Sequence, residues 1–126
     1  DVQYLLLIYG DERAQSEGWE KLSEEEQSGE MRAWYSYTEE LQKAGVHVAG
    51  EALQPTGVAK TIRVEGGERL VTDGPFAETK EQLGGYYVVD VESEEQALDW
   101  AAKMPSLPNG SVEVRPIMVF PAELPA

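Results

Sequence analysis

Twice along this chain an apolar, strand-like run is followed by a serine with Glu or Gln three positions later. Val2 to Tyr9 precedes Ser23-Glu24-Glu25-Glu26, and Leu83 to Val91 precedes Ser93-Glu94-Glu95-Gln96. In such a capping box the serine hydroxyl accepts from a free N–H of the first helical turn, and the acid or amide three residues on reaches back to the serine N–H. Each box marks a helix start, so the chain alternates extended and helical segments, which points to a mixed α+β plan.

After the first box, Met31, Trp34, Thr38 and Leu41 recur at three- and four-residue steps. This predicts an amphipathic helix ending near Ala44, with Gly45 as its left-handed stop and Gly29 placed to divide it in two. After the second box the inward face is Ala97, Trp100, Ala101 and Met104, and Pro105 ends the helix. Val46 to Leu53 reads as a second strand closed by the turn Pro55-Thr56-Gly57. Val58 to Val64 and Arg69 to Thr72 read as strands joined through Gly66-Gly67, a pair that supplies the positive φ angles of a tight hairpin. Ser111 to Phe120 is the final strand.

Val2 to Tyr9 is apolar without alternation, as expected of a central strand. Merging the hairpin region into one sheet gives a βαββαβ order with an extra β-hairpin: a ferredoxin-like α+β domain over residues 1–120, two helices covering one sheet face, with 121–126 as a loose C-terminal tail. The other face needs a cover. Tyr86, Val88, Val114 and Met118 are assigned to it, and a second copy related by a two-fold axis would bury them.

A chain of 126 residues is long enough for one core without covalent staples. It has no cysteine, which excludes disulfides and thiolate chemistry and fits a reducing compartment, so the cytoplasm is the expected location. With one histidine and no cysteine, no metal site is expected. The formal net charge of −14 repels phosphate backbones and anionic bilayers, so neither nucleic acid nor membrane is an expected partner. The apolar run Tyr4 to Tyr9 is too short for a membrane span. No glycine-rich phosphate loop, dinucleotide fingerprint or serine elbow is present, and no cofactor is expected.

The segment from Asp73 to Tyr87 concentrates acids, a turn and an aromatic between two strands, the arrangement in which loops commonly carry function. Asp73 is read either as a loop cap accepting backbone N–H bonds or as a proton-transfer group in a cleft. Glu78 and Lys80, with Glu81, form either a pocket rim or a surface ion-pair set. Phe76 is read as a core anchor of the loop or a ligand-stacking ring. Of Tyr86 and Tyr87, which alternate across the strand, Tyr86 is taken as the cavity residue. Arg115 is a candidate for a ligand carboxylate or for an internal pair with Glu113 or Glu51. His47 is placed as a surface or satisfied core histidine, or a ligand contact.

Tyr4-Leu5-Leu6-Leu7-Ile8-Tyr9-Gly10, Ala44-Gly45 with Ala49-Gly50-Glu51, and Thr72-Asp73-Gly74-Pro75-Phe76-Ala77-Glu78-Thr79-Lys80-Glu81 form an ordered set that resembles the YCII-related proteins, in particular their DGPF-domain branch. Gly84-Gly85-Tyr86 and Gly110 to Pro116 extend the match over nearly the whole chain. The resemblance implies a ferredoxin-like domain pairing into a dimeric α/β barrel. It attaches no general reaction. The polar cleft of the wider family often holds a histidine with an aspartate, and His47 lies outside the DGPF signature. The genomic setting of such proteins also implies a link to extracytoplasmic-function sigma factors.

Two functions follow as expectations. One is a homodimer that binds or converts a small molecule in a cleft beside the DGPF loop, with Asp73, Glu78 and Lys80 as its polar participants. The other is a non-catalytic protein that engages a sigma-factor-linked regulator through an acidic helical face carrying Trp19, Trp34 and Tyr37.

Overall fold

Both capping boxes form helix starts. A computed structural model describes residues 1–107 and 109–123. At the first box Ser23 Oγ accepts from Glu26 N at 3.1 Å and the Glu26 carboxylate accepts from Ser23 N at 3.0 Å. The Ser23 backbone N–H, and after it the Ser23 hydroxyl, hold the Glu26 carboxyl below its ordinary pKa. At the second, Ser93 Oγ accepts from Gln96 N at 3.2 Å, but the Gln96 amide oxygen accepts from Glu92 N, one residue earlier than the motif prescribes.

The elements are β1 (Val2–Gly10), α1 (Glu12–Glu20), α2 (Glu24–Lys43), β2 (His47–Ala52), a single 3₁₀ turn (Thr56–Val58), β3 (Lys60–Glu65), β4 (Glu68–Asp73), β5 (Gln82–Val91), α3 (Glu94–Ala102) and β6 (Gly110–Pro116). Four strands form an antiparallel sheet in the order β2-β5-β1-β6. The strands β3 and β4 pair only with each other. The hairpin therefore does not merge into the main sheet as expected; its two strands complete their ladder with each other alone.

Alternation along β1 decides which residues meet the helices. Tyr4 and Leu6 face them and pair across the ladder with Val89 and Tyr87 of β5. Tyr37 and Leu41 of α2, and Ala97 and Ala101 of α3 with the following Met104, close the same core. Leu6, Leu41, Val89 and Val91 are fully buried, each contributing on the order of 1.5–3 kcal/mol through removal of apolar surface from water. Tyr37 donates to the Trp100 carbonyl at 2.7 Å, and burial pushes its phenol pKa upward.

Three further expectations change. The segment before Ser23 contains α1, which buries no residue and has only Ala14 and Trp19 as apolar side chains, too few to mark a helix by their spacing; Asp11 caps it by accepting from Ala14 N at 3.0 Å. Gly29 does not divide α2, which runs unbroken for 20 residues. The last strand stops at Pro116, leaving Met118, Val119 and Phe120 exposed outside it. Of the expected tail, residues 121–123 are exposed and 124–126 lie outside the described residues.

The second sheet face carries Leu5, Leu7, Tyr86 and Val88, with Leu5 opposite Val88 and Leu7 opposite Tyr86. All four are half-buried, and no helix of the described residues covers them. Val114 belongs to the helix-covered face instead, since it pairs with Leu6 and packs against the core. No described helix is long and apolar enough to cross a membrane.

Candidate functional site

Where α1 and α2 lie over the ends of β1, β2 and β5, they leave a cavity of about 810 Å³. Its position follows from the sequence of α1. The helix offers Ala14, Gln15, Gly18 and Trp19 to the space below it and buries none of them, so it bridges the gap rather than filling it. Trp34 and Thr38 line the cavity from α2, and His47 and Gly50 line it from β2.

Tyr87 is the organising side chain. Its hydroxyl shares a hydrogen bond with Thr38 Oγ1 at 2.5 Å, and its ring meets Tyr37 edge-on at 5.4 Å and His47 edge-on at 6.1 Å between centroids. The ring can lie there because residue 50 is glycine: a Cβ at Gly50 would sit 2.6 Å from the Tyr87 ring. His47 is half-buried beside it. Ser106, in the loop after α3, also lines the cavity, and its Oγ is buried without a hydrogen-bond partner among the described residues. Apolar walls with a few convergent polar groups are the usual make-up of a small-molecule pocket.

The mouth is tied to the hairpin through one network. Glu12 N donates to Gln82 Oε1 at 2.9 Å, and the Glu12 carboxylate accepts from Thr56 N at 2.9 Å and Thr56 Oγ1 at 2.6 Å. Gln82 Nε2 in turn donates to the Thr79 carbonyl of the loop between β4 and β5. The start of α1, the approach to β3 and the end of the DGPF loop are thereby fastened at one point.

The residues singled out in the sequence fall into three places. His47 and Tyr86 border the cavity, although the Tyr86 ring alternates to the other sheet face opposite Leu7. Asp73 ends β4 in an ion pair with Lys60, its side chain 86% exposed, and Glu78 and Lys80 are exposed in the loop beyond it. No charged residue is buried among the described residues, and Asp73 and Glu78 stand in solvent rather than in a cleft. Phe76 is not the core anchor expected of it: it is 76% exposed and lies under the Arg63 guanidinium at 5.2 Å, because the hairpin offers no core to enter. Arg115 lies on the uncovered sheet face beside Leu5 and donates to the Glu113 carboxylate through Nε at 2.6 Å, one of the two internal pairs anticipated.

Trp19, Trp34, Tyr87 and Ser106 were not read from the sequence as pocket residues. Trp19 and Trp34 were placed on an outward acidic face together with Tyr37; Tyr37 is 2% exposed and cannot contribute to such a surface. Among the described residues no group of three or more His, Asp or Glu is arranged to hold a metal.

Fold and cavity together define a small α+β domain in which an aromatic-walled space lies between a short capping helix and an antiparallel sheet. The chain belongs to the YCII-related family, whose domain matches residues 2–121. It is also similar to an uncharacterized protein of Rhizobium meliloti (strain 1021), with 41% identity over 126 residues covering 98% of each chain.

Proposed function

We propose that the protein binds a small molecule in the cavity beneath α1, and that it does so as a homodimer paired through the uncovered sheet face. The cavity carries this reading: its volume suits a compact organic ligand, and His47 and the Thr38–Tyr87 pair converge on it. The pairing is supported by Leu5, Leu7, Tyr86 and Val88, an apolar strip that a second copy would cover. On this reading the strand order β2-β5-β1-β6 is a ferredoxin-like sheet, two of which close a dimeric α/β barrel. The Asp73-Gly74-Pro75-Phe76 sequence supports a place in the DGPF branch, and the lack of cysteine supports a place in the cytoplasm. Asp73, Glu78 and Lys80 then serve at the rim, reaching the cavity only through Thr79, Gln82 and Glu12.

A fragment screen by ligand-observed NMR tests the binding, with Gly18→Leu as the blocking variant. Gly18 lines the cavity, and a Cβ there meets nothing within 4 Å, so the added side chain occupies space without a clash in the helix. Wild type should yield binders that Gly18→Leu loses while its circular dichroism is unchanged. An empty screen, or binders indifferent to Gly18→Leu, would refute the site. Sedimentation of the wild type as a monomer at micromolar concentration would refute the pairing.

A further inference from the structure

Resting on that cavity reading, we infer that the ligand is an organic cation, an amine or quaternary ammonium group on a small apolar body. The cavity wall includes Glu12, Glu30 and Glu51, and no lysine or arginine among the described residues. Glu12 is already engaged by Thr56 and the Glu51 side chain shares the other sheet face with its ladder partner Tyr86, but Glu30 is exposed and in no ion pair among the described residues, so its charge is free to act on an entering ligand. An anion would meet no lysine or arginine counter-charge on this wall, within a molecule of formal net charge −14. A cation would instead be concentrated at the mouth and received by aromatic faces.

Trp19, Trp34 and Tyr87 supply those faces, and indole is the strongest cation–π partner among side chains. Trp19 remains 40% exposed over the cavity, a cost that an apolar, positively charged ligand would relieve.

Three compounds of one shape and different charge separate this from a merely apolar pocket: choline, its neutral carbon analogue 3,3-dimethyl-1-butanol, and the anion 3,3-dimethylbutyrate, each titrated calorimetrically into the intact chain. Choline should bind about threefold to thirtyfold more tightly than the alcohol, and the anion more weakly than either. Glu30→Gln, changed only at an exposed position, should narrow the gap between choline and the alcohol by about twofold. Trp19→Ala, also at an exposed position, should narrow it further. If the alcohol equals or exceeds choline, or the anion binds best, the cationic assignment is overturned while the cavity reading stands. If none of the three binds, the assignment is overturned as well, and the fragment screen decides whether the cavity reading falls with it.

Discussion

The main sheet and the β3–β4 hairpin are written in similar residues and end in opposite circumstances. In the sheet, Leu6 and Val89 are 0% exposed; in the hairpin, Ile62 and Val64 are 59% and 69% exposed. Both regions alternate or cluster β-branched and aliphatic residues, and both have sound ladders. Strand sequence and turn chemistry are enough to specify pairing, while stability depends on what covers the result. A lone two-stranded hairpin is marginal in water. The charges differ as well: Lys60, Arg63, Arg69 and Lys80 balance Glu65, Glu68, Asp73 and Glu78, leaving the whole −14 to the rest of the chain.

The contrast can be broken most forcefully by truncation. Leu6→Ala opens space in a core that cannot collapse around it and should cost about 2–5 kcal/mol in urea unfolding. Ile62→Ala removes a similar side chain from a position that nothing in the chain covers, and should cost less than about 0.5 kcal/mol. If Ile62→Ala costs as much as Leu6→Ala, the hairpin is buried in solution, and a second copy covers it.

The same contrast explains how far the sequence could be read. Ser23, Ser93, Gly45 and the Gly66-Gly67 pair act within a few residues, through caps and positive φ angles, and their consequences are visible locally. Element order and the α+β class follow from them. The helix α1 was hidden because it has an Asp11 cap but no buried stripe, and apolar period is the stronger signal. Val114 was assigned to the wrong face because alternation states that neighbours differ but not which one meets the helices; its pairing with Leu6 decides that. Tyr86 and Tyr87 pose the same question, settled for the rings by the Leu6–Tyr87 partnership. The cavity was least legible, since its walls come from α1, α2, β1, β2, β5 and the loop after α3, and no local pattern brings these together.

Two glycines sharpen the comparison at equal local strain. Gly45 ends α2 at φ +74° in a turn where its own N–H bonds Gln42 and the Val46 N–H bonds Leu41; Gly67 turns the hairpin at φ +79°. A Cβ at either meets nothing within 4 Å, so alanine at each position adds left-handed strain and no clash, about 1–2 kcal/mol. Gly45→Ala should lower global stability by that amount, because α2 carries the core residues Tyr37 and Leu41. Gly67→Ala should leave the global transition in place and speed only the amide exchange of residues 60–73. A fall in the global midpoint for Gly67→Ala would mean that hairpin and core unfold as one unit.

The smallest effect is expected where the sequence drew the eye first. Asp73 and Lys60 are paired across the hairpin, but their side chains are 86% and 63% exposed, so water and salt screen the attraction. Asp73→Asn should change unfolding free energy by less than about 0.5 kcal/mol, and a Lys60→Met double-mutant cycle should return a coupling of the same small size. Binding is the sharper measurement. Asp73 can influence a ligand under α1 only by shifting the DGPF loop, whose Thr79 carbonyl holds the Gln82 amide that in turn holds Glu12 N. With that linkage intact, Asp73→Asn should leave the affinity of any cavity binder within about twofold, whereas Gln82→Ala should weaken it more by freeing the start of α1. A tenfold loss in Asp73→Asn with unchanged stability would place the aspartate at the ligand, and the loop of one copy would then have to reach the cavity of another.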